Sequence, residues 1–179
     1  MLLKELRFRV MPPECNPSSP KLNAIAELQE SIEEVFPYLN GLIKGCIYNP
    51  DSKILSFRKD GRLITLQPHQ IAVTKLKDEQ EAEKLFNWLK GLINITDEGR
   101  ETLKPDYQGR EPIKVLDIFK LLPGTNCRKC GEPTCMAFAA KLQQDEIPIV
   151  KCPPLFTDPF QEKRERLLSL LKEAGYETP

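Results

Sequence analysis

The sequence predicts an α+β protein: an N-terminal antiparallel sheet packed with two helices over residues 1–104, then a small, mostly helical module over residues 105–179. Three observations predict it. Residues 43–76 run with an apolar period of two, broken at Asn49-Pro50-Asp51-Ser52, Asp60-Gly61 and Pro68-His69. That is the pattern of a meander of short antiparallel strands. Apolar residues spaced three and four apart stand in two separate runs, 22–36 and 82–93, the spacing of one-faced helices. Four of the six cysteines gather between positions 127 and 152. Strands that cluster together, rather than alternating with helices, favour α+β over a parallel α/β sheet.

Taken in order, residues 3–11 alternate, with Leu6, Phe8 and Val10 on one side and Arg7 and Arg9 on the other, as in a half-buried strand. Pro12, Pro13, Pro17 and Pro20 force a loop. Ser19 then reads as a helix cap with Pro20 at the first helical position. Leu22, Ile25, Leu28, Ile32, Val35 and Phe36 make one apolar stripe, closed by Pro37 and Gly41. Next come strands at 45–48, 54–58, 62–67 and 71–76. Asp60-Gly61 is a strong two-residue hairpin signal. Asp78 and Glu81 resemble a capping box, opening a helix that turns Ala82, Leu85, Phe86, Leu89, Leu92 and Ile93 inward. Residues 96–112 are polar and read as a linker. Residues 113–122 read as a short helix. At the far end Asp158 reads as the cap of a last helix, with Pro159 first and Phe160, Leu167, Leu168, Leu170 and Leu171 on its apolar side. Its Glu/Lys/Arg run reads as a solvated face.

The stretch Leu122-Pro-Gly-Thr-Asn-Cys127-Arg-Lys-Cys130-Gly-Glu-Pro-Thr-Cys135 is answered by Cys152-Pro153, giving C-x2-C-x4-C-x16-C. Four thiolates are what a [4Fe–4S] cubane requires. Gly124 and Gly131 permit a tight loop that points several thiols at one centre. Pro133 suits the first turn of a helix over 134–145, about 18 Å long. Six extended residues, 147–152, would cover about 20 Å on the return. The start of that helix places unpaired N–H groups and a positive dipole end beside negatively charged sulfur. Two alternatives stay open on the residues alone. Zinc is also held by four cysteines, though its sites more often use two separated C-x2-C knuckles. A disulfide pair or four unconnected core thiols is the other.

The same stretch resembles the four-cysteine [4Fe–4S] domain of the corrinoid iron–sulfur protein large subunit and of the acetyl-CoA decarbonylase/synthase gamma subunit. A similar domain occurs in the B subunit of Rnf complexes. The resemblance covers residues 115–154, a quarter of the chain, and rests on Asn126-Cys127-x-x-Cys130-Gly131-x-x-x-Cys135 with the distant Cys152-Pro153. It implies that Cys127, Cys130, Cys135 and Cys152 bind the cluster. It implies single-electron transfer at low potential to a redox partner protein, such as a corrinoid protein or methyltransferase, in anaerobic one-carbon or corrinoid metabolism. The barrel and corrinoid domain, the membrane anchor and the extra ferredoxin motifs of those relatives have no counterpart here, and residues 1–100 resemble neither.

Composition narrows the remaining classes. Twenty-six Lys and Arg balance 26 Asp and Glu, so no broad attraction to nucleic acid or anionic membrane is expected. No apolar run approaches the length of a membrane helix. The first residues lack a signal-peptide core, and a cytoplasmic protein with reduced thiols is expected. Arg128 and Lys129 fill the C-x2-C gap; they read as solvent-facing residues, as cations that raise the potential of an anionic cluster, or as a docking patch. Cys15 and Cys46 are candidates for an extra site but read more readily as structural thiols. His69, the one histidine, reads as a turn residue. No catalytic pair, nucleotide loop or nucleophile elbow is visible, so no catalytic residue is expected. The leading expectation is an electron carrier that is not itself an enzyme. A non-redox accessory or assembly protein with a structural zinc or iron–sulfur module is the alternative, and an enzyme whose cluster binds substrate is a third.

Overall fold

The computed structural model describes residues 1–14 and 17–179. Cys15 lies outside the described residues. The chain forms two compact units, Met1–Glu111 and Pro112–Pro179, each with its own apolar core.

The first unit is built on a six-stranded antiparallel sheet in the order β1-β2-β6-β5-β4-β3. Its strands are β1 (Phe8–Met11), β2 (Leu22–Glu27), β3 (Ile47–Asn49), β4 (Ile54–Lys59), β5 (Arg62–Gln67) and β6 (Gln70–Leu76). Registers pair Ala24 with Val73, Val73 with Ile64 and Ile64 with Phe57. This puts one buried apolar row on a single face, as alternation requires. The β4–β5 turn is Asp60-Gly61, with φ of 49° and 72°. Positive φ at both positions matches the right-handed twist of the strands it joins.

The helix expected over 20–36 is corrected. Residues 22–27 are strand β2, followed by a 3₁₀ turn at Glu33–Val35 and helix α1 (Phe36–Leu42). The stretch carries two periods at once. Leu22, Ala24, Ala26 and Leu28 also alternate, and Ala24 and Ala26 are fully buried between β1 and β6. Two flanking strands supply the backbone partners, and tertiary pairing outweighs the helix preference of alanine. Ser19 caps nothing helical; its Oγ accepts from Lys21 N–H at 3.1 Å in a local turn. Pro37 opens α1 instead of ending a helix, where its missing N–H costs nothing. The α+β class and the sheet with two helices stand.

The first strand is shorter than its alternation suggests. Leu3 is tied to the long helix α2 (Glu79–Glu98), with Leu3 N–H donating to Asn94 Oδ1 at 2.7 Å and Asn94 Nδ2 donating back to Leu3 O at 2.9 Å. Asp78 caps α2, its carboxylate accepting from Glu81 N–H at 2.8 Å. Glu81 reaches back one residue further than a standard box, accepting from Lys77 N–H at 2.7 Å. Ala82, Phe86, Leu89 and Ile93 are buried, with Leu85 and Leu92 packed beside them. The helix runs past position 96, where Thr96 Oγ1 donates to Leu92 O at 2.8 Å, which satisfies a buried hydroxyl. Residues 105–110 are strapped to the first unit. Asp106 N–H donates to Pro37 O and Arg110 N–H to Tyr48 O, at 2.8 and 2.9 Å. Asn40 Nδ2 donates to the carbonyls of Asp106 and Gln108. Gly41 is needed there, because a Cβ would lie 3.0 Å from Lys104 O.

The second unit packs α3 (Val115–Lys120) on α4 (Cys135–Gln143), and α5 (Gln161–Glu173) on a 3₁₀ turn at Pro153–Phe156. Ile118, Phe138, Leu142, Leu155, Leu167 and Leu171 form its centre. The last helix starts at Gln161 with no side-chain cap, and Asp158 instead opens a 3₁₀ turn over Asp158–Phe160. Gly175 (φ 79°) ends α5. Gly175 N–H donates to Lys172 O and Tyr176 N–H to Leu171 O, the paired bonds of a Schellman stop. Tyr176 then donates its hydroxyl to Gln143 O at 2.6 Å, joining the ends of α4 and α5.

Candidate metal centre

The centre is assembled by a loop, a helix start and a return. Leu122 is buried and fixes where the loop leaves the core. From there the backbone takes positive φ at Gly124, Asn126, Arg128 and Gly131. Four left-handed positions within eight residues fold the stretch on itself, and asparagine tolerates that conformation better than most side chains. Gly131 N–H donates to Arg128 O at 3.0 Å, closing the Cys127–Cys130 turn.

Helix α4 begins at Cys135. Its cap is Thr134, whose hydroxyl accepts from Ala137 N–H at 3.0 Å; Pro133 therefore lies outside the helix, not at its first position. Asn126 Oδ1 accepts from Cys135 N–H at 2.8 Å across nine residues. Two of the N–H groups expected to face sulfur are thus held by side chains, while the helix dipole remains. Glu132 and Lys141 pair at 2.7 Å and tie the loop to the last turn of the helix.

The return differs from the expected extended segment. Helix α4 is nine residues long, about 13 Å. Asp145 (φ 58°) reverses the chain, and Ile149–Lys151 is a 3₁₀ turn. A shorter outward path leaves no need for a stretched way back.

Cys127, Cys130, Cys135 and Cys152 all line one recess, together with Leu122, Phe138 and Pro154. None is in a disulfide. Cys127 is exposed, Cys130 partly exposed, and Cys135 and Cys152 buried. The Lys129 backbone N–H and the Thr125 hydroxyl hold the Cys127 thiol below its usual range. Burial pushes Cys152 up, opposed by the Leu155 N–H, and the charges of Cys130, Cys135 and Cys127 act in the same direction as burial. Like charges raise one another only when close. Among the described residues, no group of three or more His, Cys, Asp or Glu side chains stands in a single-ion arrangement. The cavity itself is narrow, about 10 Å³, roughly the space of one water. Four thiols on one recess fit the donor chemistry of an iron–sulfur cubane.

Cys46 takes no part. It is 2% exposed in the first core, and burial pushes its thiol up to about 12 against the charge of Arg110, as for an inert structural thiol. His69 is an exposed turn residue whose carbonyl accepts from Leu28 N–H at 2.8 Å. Sequence reasoning missed Asn126, Thr134 and the Glu132–Lys141 pair. The signal for Asn126 was its place between Gly124 and Cys127, where a left-handed turn suits asparagine.

Comparison with known proteins decides the class of this segment. Residues 122–154, which contain all four cysteines, match the family model described as "Putative Fe-S cluster". The segment is similar to that family over these 33 residues. The chain is 49% identical over 59 residues to the acetyl-CoA decarbonylase/synthase complex subunit gamma of Methanocaldococcus jannaschii, covering 33% of this chain and 12% of that subunit. It is 43% identical over 64 residues to the same subunit of Methanothermobacter thermautotrophicus, covering 36% and 14%. An uncharacterised Methanocaldococcus jannaschii protein is 37% identical over 70 residues, covering 39% of this chain and 31% of its own length. The chain thus spans about an eighth of the gamma subunits it matches. No solved structure matches it. No helix among the described residues is long and apolar enough to cross a membrane.

Proposed function

We propose that the protein binds one [4Fe–4S] cluster through Cys127, Cys130, Cys135 and Cys152 and delivers single electrons to a partner protein. The observation that carries this reading is the meeting of all four free thiols on one recess inside the iron–sulfur family segment. When bound, such a cluster supplies reversible one-electron transfer at a potential set by charge, hydrogen bonding and exposure.

The chain's own residues divide the remaining work. Cys135 and Cys152 are fixed in the core and form the inner wall. Cys127 and Cys130 sit on the exposed turn, and the hydrogen bonds to Cys127 Sγ favour the thiolate that ligation needs. Asn126 and Thr134 hold the loop against the start of α4. Phe138 and Leu122 keep that inner wall apolar. The relatives' subunit belongs to an acetyl-CoA decarbonylase/synthase complex. Assembly with a corrinoid protein or methyltransferase of one-carbon metabolism is the setting proposed for this chain, in a reducing cytoplasm.

Anoxic purification followed by metal and sulfide analysis tests the reading. About four iron and four sulfide per chain are expected, with a paramagnetic signal on one-electron reduction. Cys135→Ser is expected to lose most of the iron. Stoichiometric zinc without sulfide, or a cluster silent across the accessible potential range, would replace electron transfer with the structural, accessory role.

A further inference from the structure

Helix α2 carries a glycine that the first unit does not use. Gly91 sits inside its run of 20 residues, where glycine weakens a helix relative to alanine. A Cβ there would meet no heavy atom within 4 Å among the described residues, so no close approach inside the unit calls for it. At 3.6 residues per turn, Gly91 lies on the side of α2 opposite the buried Ala82, Phe86 and Ile93. Lys84, Trp88, Gly91, Ile95 and Glu98 follow one another there at spacings of four, three, four and three, the heptad spacing of a helix that faces another helix. The two large apolar members are exposed, Trp88 at 40% and Ile95 at 70%. The indole is already held in place: Phe57 meets it edge-on at 6.4 Å, and Lys59 Nζ stands 4.6 Å from its ring centre. A contact made there has little side-chain freedom left to lose at Trp88.

We infer that this stripe is a self-association surface whose occupant is α2 of a second copy of the chain, running antiparallel. The order along the stripe chooses the occupant: cation, tryptophan, glycine, isoleucine, anion. Turned end for end about Gly91, it meets its own complement. Lys84 and Glu98 each lie seven residues from Gly91, about 10 Å along the axis, so Lys84 of one copy comes opposite Glu98 of the other. Trp88 and Ile95, three and four residues from Gly91, meet in the same way. A parallel pair would set lysine against lysine and glutamate against glutamate, which like charge disfavours. The central glycine lets the two helix axes approach closely. Glu98 also pairs with the amino terminus of Met1 at 3.2 Å, with both groups largely exposed. An exposed pair of that kind is weak and leaves the carboxylate open to a second cation. The surface lies wholly within the first unit and is independent of the cluster reading.

Analytical ultracentrifugation over a concentration series tests this on the full-length, anoxically purified chain, kept under reductant so that the exposed Cys127 forms no cross-link. Trp88 is the one tryptophan in the chain, so its emission reports the contact in the same samples. A single helix face is at the small end of interfaces, and a Kd of about 10–100 µM is expected. Wild type should pass from monomer to dimer over that range, with Trp88 emission moving to the blue as the ring leaves water. Ile95→Lys is expected to raise Kd by about tenfold or more, because it sets a cation in the apolar centre. Gly91→Gln separates the contact from the fold. It should raise the thermal midpoint of the first unit in dilute samples, since glutamine is the better helix former, and yet raise Kd by about tenfold through its bulk. Lys84→Glu should weaken association, and Lys84→Glu/Glu98→Lys should restore it to within about threefold of wild type. Wild type that stays monomeric at about 1 mM chain, well above that Kd, overturns the proposal. So does a dimer whose Trp88 emission does not change on dilution, since its contact then lies elsewhere, or a Gly91→Gln variant that associates as wild type does. A charge swap that fails to restore what Lys84→Glu loses overturns the antiparallel pairing.

Discussion

Asn126 joins two requirements in one side chain. Its backbone is left-handed at φ 48°, a conformation that costs most residues about 1–2 kcal/mol. Its Oδ1 also satisfies the N–H of Cys135 at the buried start of α4. Replacement by alanine loses both and is expected to destabilise the second unit by about 1–3 kcal/mol. Asn126→Gly keeps the backbone and loses only the bond, so its cost should fall below that of alanine. Asn126→Asp keeps an acceptor at the same place and should retain more iron than either. Urea unfolding and the rate of iron release to a chelator, compared across the three, check this order. Equal behaviour of all three would remove Asn126 from the positioning role. The thiol spacing was legible because ligation chemistry acts through a fixed residue type. The Asn126 bond was not, because a side chain reaching a backbone N–H nine residues away depends on a loop path that composition does not specify.

At the scale of elements, the same contrast separates α2 from β2. The start of α2 is written locally: Asp78 accepts from Glu81 N–H and Glu81 from Lys77 N–H. Asp78→Ala is therefore expected to cost about 1 kcal/mol, within a range of about 0.5–2. A lowered urea midpoint of the first unit with an unchanged slope checks it. The β4–β5 hairpin is equally local, since Asp60 and Gly61 hold the φ values that its turn requires. Strand β2 is not. Leu22, Ala24, Ala26 and Leu28 alternate within a stripe that also fits a helix, and only β1 and β6 on either side settle the choice. The return to Cys152 failed for a related reason. Its path depended on where α4 stopped, and the left-handed Asp145 that stops it is not a residue type that announces a helix end as glycine does.

For the whole molecule, what matters is that the two cores differ in what can stabilise them. The first unit buries a sheet and a twenty-residue helix within 111 residues. The second has 68 residues, a size at which a single apolar core supplies only about 3–5 kcal/mol and a metal is a common supplement. A ligand bound only by the folded state adds stability in proportion to the logarithm of its concentration over Kd. Full-length protein with its iron in place should therefore lose thermal stability selectively when the iron is stripped anoxically by a chelator. The transition belonging to Pro112–Pro179 is expected to fall by about ten degrees or more, on the order of 4–8 °C per kcal/mol for a unit this small. The transition of Met1–Glu111, whose buried thiol Cys46 has no part in the recess, should stay where it was. Calorimetry before and after chelation, with a fluorescence channel on Trp88 reporting the first unit alone, resolves the two. A single transition that moves as one on chelation would show that the units share their stability and that the iron does not act on the second by itself.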